Sequence, residues 1–281
     1  MTGSAADADD VVQDTFVRAM TRPPRRTDEP LRPWLVKVAM NLARDLLRRR
    51  RRRDYVGPWL PSPVETEDSS PPSHEPATLE GRYDLLESVS FAFLVALEAL
   101  TPMQRGVLLL RDVFDYSVKE TADALDITQA NVKTTHHRAR AAMDAYHASR
   151  QIPTPARQRA TGDALHQFLQ ALEAHDVGAV EALLADEVRT TTDGGGAYRS
   201  ALKVIVGRDN VTRFYLAVSG NAADAKVRMP ALNGVPSAIV DVPAPGPGIA
   251  PRFTITAELN ADGRIAHLYV ISAPPKLSAI R

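Results

Sequence analysis

Two short helices joined by a tight turn are predicted between Ser117 and Met143. Ser117 and Glu120 have the spacing of a capping box, in which each side chain accepts a hydrogen bond from the other residue's backbone amide. Leu125 to Ile127 make the turn, and Thr128 can cap the second helix. The apolar or small positions of that helix recur at helical spacing and predict one buried stripe, made of Val132, Thr135 or His136, Ala139 and Met143.

The second of these helices leaves amide, hydroxyl and basic side chains on its outer faces. They are Gln129, Lys133, Thr134, His137, Arg138 and Arg140. A helix fits the major groove of DNA, where such side chains bind base edges and phosphates. The pattern therefore predicts a helix-turn-helix that binds duplex DNA. An ordinary helical hairpin with a solvated basic face is the alternative that these residues alone leave open.

Charge is distributed unevenly along the chain, although acidic and basic residues balance at 34 each. Residues 31–60 hold nine basic and two acidic residues, whereas residues 61–90 hold seven acidic and one basic. The basic block contains six consecutive arginines, Arg48 to Arg53, and a helix terminus does not need that many to offset its dipole. Six arginines are suited to binding the phosphate backbone of a nucleic acid. Residues 62–77, rich in Pro, Ser, Glu and Asp, are predicted to form a flexible joint.

Composition excludes several classes of site. With no cysteine among 281 residues, the chain has no disulfide, thiolate metal site or thiol nucleophile, and neither a metal nor a cofactor is predicted. No apolar run approaches the roughly 18 residues that a membrane span needs. No secretory signal opens the chain. These features together predict a cytoplasmic protein that makes no membrane contact.

Two amphipathic helices are predicted before the joint. The first, from Gly3 to Ala19, has an acidic first turn that favours a helix N terminus. Its apolar side is predicted to hold Val11, Val12, Thr15 or Phe16, and Ala19, with Asp9, Asp10, Gln13 and Asp14 facing elsewhere. Pro33 stands where a first helical residue is often proline, and so begins the second helix. The apolar stripe of that helix is Trp34, Leu35, Val38, Leu42 and Leu46.

The chain resembles regions 2 and 4 of the extracytoplasmic-function (ECF) group of sigma-70 family sigma factors. Three stretches carry the resemblance, in the family's order and spacing: ADADDVVQDTFVRA, RPWLVKVAMNLARDLLRRRRRR and LTPMQRGVLLLRDVFDYSVKETADALDITQANVKTTHHRARAAM. They cover most of residues 3–145. The resemblance implies core RNA polymerase and promoter DNA as partners. Region 2 of the family begins with further helices upstream, so the chain is expected to be truncated, with Met1 inside the family's pattern.

The resemblance assigns three groups of site residues. The acidic helix would bind the clamp coiled coil of polymerase through Asp10, Gln13 and Asp14. The second helix would recognise and help to open the −10 element through Asn41, Arg44, Asp45, Arg48 and Arg49. The helix-turn-helix would read the −35 element as duplex through Thr128, Gln129, Asn131, Lys133, Thr134, His137, Arg138 and Arg140.

The C-terminal half is predicted to contain helices followed by strands. Helices are expected at 161–174, from Asp176 onward and at 209–219, and strands at 187–192, 201–206, 225–229, 237–242, 252–259 and 265–271. Asp262-Gly263 is a hairpin-type turn between the last two strands. Helices followed by an antiparallel sheet imply an α+β domain.

This half resembles the SnoaL-like domain, a curved sheet that helices close into a cone with a pocket. The matching segments are HDVGAVEALLADEV, DGGG and the terminal APPKL, which lacks the acidic residue usual before the lysine. Sigma factors with this appendix form a subgroup whose pattern includes YVGPWLP. The resemblance implies that the domain regulates the sigma portion in place of a separate anti-sigma protein. It assigns regulatory contacts to Trp59, Leu60, Pro61, Asp193, Gly194, Gly195, Gly196, Lys276 and Leu277.

The predicted fold is therefore multi-domain, with all-α sigma regions 2 and 4 followed by an α+β SnoaL-like cone. The expected divisions are a partial region 2 at 1–56, a linker with the WLP segment at 57–78, region 4 at 79–148, a second linker at 149–160, and the SnoaL-like domain with its tail at 161–281.

The predicted function is that of a sigma factor that directs RNA polymerase to promoters, is controlled by its own C-terminal domain and is not an enzyme. Free-standing SnoaL-like proteins include isomerases and cyclases, but no arrangement marks Asp193, His175 or His267 as catalytic. Two alternatives stay open: a DNA-binding regulator that never engages polymerase, and a SnoaL-like enzyme or ligand sensor with a vestigial DNA-binding arm. Whether the C-terminal domain binds a small ligand also stays open.

Overall fold

The computed structural model describes residues 1–24, 30–51, 55–66, 90–144, 146, 154–220 and 224–281. They belong to two compact units. The first unit is Met1–Asp54 with Pro71–Gln151, and the second is Tyr55–Ser70 with Ile152–Arg281. None of the described helices combines the length and apolar character that crossing a bilayer requires. Within the same residues, no three acidic or histidine side chains cluster as a metal site would need.

The first unit is helical. Its helices are α1 (Ala5–Thr21), α2 (Leu31–Arg51), α3 (Phe91–Leu97), α4 (Pro102–Leu108), α5 (Val118–Leu125) and α6 (Gln129–Ala142), with a π-helical turn at Leu109–Val113 after α4. Residues 67–89, which include the start of the region 4 expected at 79–148, lie outside the described residues.

α1 packs against α2 through a narrower face than the sequence predicts. Val11 clusters with Leu42 and Ala43 of α2, as expected. Val12 and Phe16, however, are 51% and 56% exposed. The prediction that Val12 lies on the packed side is wrong, and of the alternatives Thr15 and Phe16 it is Thr15 that packs. α2 covers only the stripe through Val11 and Thr15, which are buried.

The helix-turn-helix has the predicted construction. Ser117 and Glu120 form the capping box that begins α5, and Asp126 ends it in the left-handed conformation at φ 58°. Thr128 caps α6 by accepting a hydrogen bond from the Asn131 amide at 3.2 Å. The predicted stripe is buried at Val132, Thr135, Ala139 and Met143. Local capping chemistry and helical periodicity therefore determine this part of the fold.

α2 contributes a second buried face that the sequence pattern does not reveal. Met40 is 8% exposed and clusters with Leu125 and Val132 of the helix-turn-helix and with Val107 and Leu110, which precede it in α4 and the π-helical turn. The predicted stripe through Leu42 and its neighbours faces α1 instead. The N-terminal helix pair and the helix-turn-helix thus share an apolar core within the first unit.

The second unit is an α+β domain. Its helices are α7 (Pro155–Glu173), α8 (Val177–Leu183) and α9 (Arg208–Ser219), and its strands are β1 (Leu184–Asp193), β2 (Ile205–Val206), β3 (Lys226–Arg228), β4 (Ala231–Leu232), β5 (Val235–Asp241), β6 (Arg252–Leu259) and β7 (Ile265–Ile271). A 3₁₀ turn at Pro274–Lys276 follows β7.

The seven strands form one open sheet in the order β2-β1-β7-β6-β5-β3, with β4 paired to β5. The predicted hairpin between the last two strands is confirmed, since β6 and β7 pair antiparallel around the Asp262-Gly263 turn. The expectation of a wholly antiparallel sheet is wrong, because β1 and β7 pair in parallel. This pairing joins strands far apart in sequence, and local patterning carries no information about it.

The first helix of this unit begins earlier than predicted. α7 starts at Pro155, and Thr154 caps it by accepting from the Arg157 amide at 3.2 Å. The end of the linker expected at 149–160 is therefore helical, because a proline at the first helical position and a capping threonine favour a helix start.

The two faces of the sheet differ in chemistry. Alternating side chains of each strand point to opposite faces. The face toward the helices is apolar and includes Ile255, Ala257 and Leu268 with Phe168 of α7. The register places Ser237, Thr256 and Tyr269 side by side on the opposite face. That polar face ends at Asp193, where the site described next is built.

Candidate nucleic-acid interface and docked segment

α6 presents an exposed polar and basic surface. Its N-cap Thr128 and the predicted −35-reading residues along the helix are all exposed: Gln129, Asn131, Lys133, Thr134, His137, Arg138 and Arg140. The buried stripe on the opposite side fixes the helix in place, so these side chains project together to solvent. The surface can donate hydrogen bonds to base edges and phosphates.

Arg140 differs from the rest of this surface because it is held by an acidic partner. Its Nε lies 3.1 Å from Asp112 Oδ2, and His136 Nε2 lies 2.6 Å from Asp112 Oδ1. Asp112 belongs to the π-helical turn after α4. The ion pair therefore ties the last turns of α6 to that turn, and it positions Arg140 at the edge of the surface.

The predicted −10 residues on α2 are divided between solvent and the protein. Asp45, Arg48 and Arg49 are exposed. Asn41 and Arg44 are half-buried, and Arg44 Nη1 donates to the Leu125 carbonyl at 3.1 Å and to Asn41 Oδ1 at 3.4 Å. Burial, and next the positive charge of Arg48, lower the pKa of the Arg44 guanidinium.

The predicted polymerase-binding residues lie on one exposed side of α1. Asp10, Gln13 and Asp14 are all exposed, and α2 packs against the other side of the helix. An acidic face of this kind can bind a basic partner surface, and its assignment to polymerase stays a prediction.

A buried ion pair holds the segment 55–66 on the second unit; we call residues 55–66 the docked segment. The Lys276 ammonium donates to the Asp193 carboxylate and to the Leu60 carbonyl. The Leu60 amide donates to Asp193 Oδ2 at 2.7 Å, and the Tyr55 hydroxyl donates to Asp193 Oδ1. Lys276 Nζ also lies 3.3 Å from the centroid of the Trp59 ring. Four of the predicted regulatory residues thus meet around one buried ion pair: Trp59, Leu60, Asp193 and Lys276.

Two of the three glycines after Asp193 make room for the docked segment, whereas a Cβ at Gly194 would meet Ser200 Oγ at 2.7 Å. Gly195 and Gly196 have φ values of 57° and 79°, which residues other than glycine rarely adopt. A Cβ at Gly195 would lie 3.2 Å from the Tyr55 hydroxyl, and one at Gly196 would lie 3.2 Å from Val56 Cβ. Pro61 and Leu277, two further predicted regulatory contacts, are buried.

A second anchor lies further along the docked segment. The Asn233 amide donates to the Val64 carbonyl at 2.9 Å, and the Val64 amide donates back to Asn233 Oδ1 at 3.1 Å. Glu65 accepts from Arg228 at 2.9 Å and from the Arg281 amide at 3.0 Å. The segment therefore pairs with the β4–β5 turn, and its position on the second unit is determined at both ends.

The three residues considered for catalysis do not meet in one site. Asp193 is engaged by Lys276, and His175 is exposed in the turn between α7 and α8. His267 lies on the sheet face opposite the helices, where it stacks on Tyr269 at 3.9 Å and its Nε2 lies 2.9 Å from Thr191 Oγ1. Burial, and next the charge of Arg189, lower the pKa of His267 to about 4.

Sequence reasoning missed several residues of these sites. Glu65, Arg228 and Asn233 hold the docked segment, and Met40 joins α2 to the helix-turn-helix. Asn233 carried a usable signal, because Asn-Gly between strand patterns predicts a tight hairpin turn. The other three depend on partners distant in sequence.

Comparison with known proteins agrees with this architecture. Residues 1–53 match the family described as sigma-70 region 2, and residues 90–143 match sigma-70 region 4. The chain is 32% identical to the ECF RNA polymerase sigma factor SigJ of Mycobacterium tuberculosis, over 99% of this chain and 88% of that protein. It is 33% identical to SigG of the same organism, over 73% of this chain and 60% of that protein.

Similarity to a solved structure extends over the whole chain. The crystal structure of SigJ from Mycobacterium tuberculosis matches with a TM-score of 0.73 and 26% identity, over 99% of this chain and 92% of that one. The match includes both the helical portion and the C-terminal α+β domain.

Proposed function

The chain belongs to the ECF sigma factors of RNA polymerase, and on this premise we propose how its parts divide the work of promoter recognition. Sigma factors bind core RNA polymerase and promoter DNA to initiate transcription. In this chain α1 engages polymerase, α2 recognises and helps to open the −10 element, and α6 reads the −35 element. The proposed partner places the protein in the cytoplasm, where polymerase works.

The exposed surface of α6 supports the −35 assignment. Lys133 and Arg138 are exposed cations that can bind phosphates or guanine edges, and Asn131 can bind adenine. Exposed arginines at the end of α2 suit the same role for the −10 element, since Arg48 and Arg49 can neutralise phosphates.

The observation that carries the regulatory part is the docked segment. Residues 55–66 lie in the sequence between α2 and α3, and they pack on the C-terminal unit through Asp193 and Lys276. Docking therefore shortens the linker that joins α2, the proposed −10 reader, to the domain that contains α6, the proposed −35 reader. The C-terminal unit therefore controls how far those parts can separate, and it regulates initiation from within the chain.

Transcription in a reconstituted system tests this function. The full chain is combined with core polymerase and a DNA library randomised at the −35 and −10 positions, and templates that yield run-off transcripts are selected. Transcripts from −35/−10 promoters support the proposal. DNA binding without transcription would instead favour a regulator that does not engage polymerase. If the chain shows neither transcription nor DNA binding, both of these functions are contradicted.

A deletion separates regulation from recognition. Removing residues from Ala273 onward takes away Lys276, and with it one side of the buried cluster. We expect the amount of transcript to change while the selected promoters stay the same. An unchanged amount of transcript would contradict control by the C-terminal unit.

A further inference from the structure

The π-helical turn after α4 holds an acid beside the recognition helix. In this turn the Phe114 amide donates to the Leu109 carbonyl, five residues earlier, at 3.0 Å. Such turns are rare and frequently lie at functional sites. The turn carries Asp112, whose side chain is 26% exposed. Asp112 therefore meets α6 from outside the helix-turn-helix.

Both carboxylate oxygens of Asp112 bind side chains of α6. Oδ1 lies 2.6 Å from His136 Nε2, and Oδ2 lies 3.1 Å from Arg140 Nε. A carboxylate only accepts hydrogen bonds, so both nitrogens are donors here. His136 and Arg140 are four residues apart and lie side by side on the helix. One carboxylate thus fixes two neighbouring side chains.

This contact uses only one edge of the Arg140 guanidinium. Nε binds Asp112, and in the part of the chain that the structure describes neither Nη1 nor Nη2 takes part in a hydrogen bond or ion pair. The Arg140 side chain is 64% exposed. A guanidinium presents parallel N–H groups in a fixed plane, which matches two oxygens of a phosphate. The held side chain can therefore bind a phosphate at two points.

The position of Arg140 on α6 favours a phosphate over a base. Arg140 is the third residue from the end of the helix, which spans Gln129–Ala142. A recognition helix contacts base edges mainly through its N-terminal residues. Arg140 also projects from the flank of α6, because the stripe that includes Ala139 is buried and His137 lies on the face opposite that stripe. The backbone of DNA borders the groove, so Arg140 is placed to bind it.

We infer that Asp112 is a positioning residue for DNA binding: it holds Arg140 as a phosphate clamp at the end of the recognition helix. α6 is already fixed by its buried stripe, and an exposed ion pair adds little to stability. The pair therefore acts on the orientation of Arg140. Without Asp112, the long side chain of Arg140 would be ordered only on binding DNA, and this ordering would weaken the complex.

The inference deepens the proposed function, because it rests on the role of α6 as the −35 reader. It adds a residue outside the helix-turn-helix to that role. It also assigns Arg140 to the phosphate backbone, which is a contact that does not depend on the base sequence.

A double-mutant cycle in the full chain tests the inference. Asp112→Ala, Arg140→Ala and the double variant are compared by fluorescence anisotropy on a selected −35 duplex. We expect Asp112→Ala to bind about two- to tenfold more weakly, which is the factor for ordering one long side chain. Arg140→Ala should lose at least as much, and the slope of log affinity against log salt should become shallower by about 1. The double variant should bind within about twofold of Arg140→Ala, because Asp112 acts through Arg140.

Two comparisons separate orientation from charge and from base reading. Asp123→Ala removes an exposed acid of α5 whose described contacts do not include Arg140, and it should bind within about twofold of the unmodified chain. A scrambled duplex of equal length should lose the same factor with Arg140→Ala as the selected duplex does. Asp112→Asn keeps the shape of the side chain but has one acceptor oxygen for two donors. It replaces Asp112→Ala if that variant does not fold, and the same loss is expected.

The outcomes separate the inference from the function on which it rests. Unchanged or tighter binding by the Asp112 variant would overturn the inference, and so would full affinity of Arg140→Ala. A further loss beyond twofold in the double variant would show that Asp112 does not act through Arg140. A loss confined to the selected duplex would make Arg140 a base reader and overturn the clamp. All these results leave the proposed function intact if Lys133→Ala still weakens binding, whereas a chain that binds no −35 duplex would overturn both.

Discussion

The Lys276 ammonium meets the Asp193 carboxylate inside the second unit, where their side chains are 4% and 0% exposed. A buried charge that loses its partner is strongly destabilising, whereas the intact pair contributes little by itself. Here the pair has a further consequence, because both ions also bind the backbone of Leu60. Two residues 83 positions apart thus hold a third segment of the chain in place.

Asp193→Asn should release the docked segment. The change leaves the Lys276 charge buried without a counter-ion, at a cost of about 3–5 kcal/mol. Hydrogen exchange of the Leu60 amide, which donates to Asp193, measures the release directly. Asp241→Asn is the matched control, because its ion pair with Arg252 is partly exposed and such pairs contribute about 0–1 kcal/mol. Unchanged protection at Leu60 would contradict the role assigned to Asp193.

Gly195→Ala should weaken docking through the backbone. The residue has φ 57°, and a new Cβ would lie 3.1 Å from Ala273 Cβ. Left-handed backbone costs a residue with a side chain about 1–2 kcal/mol, so exchange at 55–66 should become faster. Gly220→Ala provides the comparison, since no atom lies within 4 Å of its Cβ position. If the amides of residues 55–66 exchange at the same rate in both variants, docking does not require glycine at position 195.

Lys133→Ala and Arg138→Ala should each weaken binding to a selected −35 duplex. Where a base contact is lost, the expected cost is about 1–3 kcal/mol. Fluorescence anisotropy at several salt concentrations measures the affinity, and a lost phosphate contact also lowers its salt dependence. Arg213→Ala changes an exposed arginine on α9 of the second unit, and should leave affinity unchanged. Normal affinity in folded Lys133 and Arg138 variants would refute the −35 assignment.

His267 should make the second unit less stable in mild acid. Burial lowers its pKa from 6.5 to about 4, so the folded state favours the neutral ring. The unfolded chain takes up the proton first, and this contribution to stability is therefore lost as the pH falls from above 6.5 toward 4. Between pH 7 and pH 5 the loss is about 2 kcal/mol.

A variant isolates this effect from other titrating groups. His267→Gln removes the titration, so the difference between the two proteins reports the histidine alone. Denaturant unfolding of the second unit at pH 7 and pH 5 should show a smaller acid loss in the variant. Equal losses would mean that His267 does not carry the dependence. The pKa of Glu258 is raised by burial, and its protonation in acid acts in the opposite direction.

Local chemistry in the sequence determined much of the secondary structure. The capping residues and helical spacing of α5 and α6 predicted both helices and the turn between them, because those interactions join residues three or four positions apart. The last strand was predicted with its observed limits, Ile265–Ile271. Alternation within one strand is likewise a local property.

Only the tertiary structure decided which distant segments meet. The sequence showed one apolar stripe on α2, and Met40 became a core residue because the helix packs on two sides. The parallel pairing of β1 with β7 and the docking of Tyr55 on Asp193 likewise join residues far apart in the chain. Such contacts depend on the closing of long loops around complementary surfaces, and no short pattern of residues specifies them.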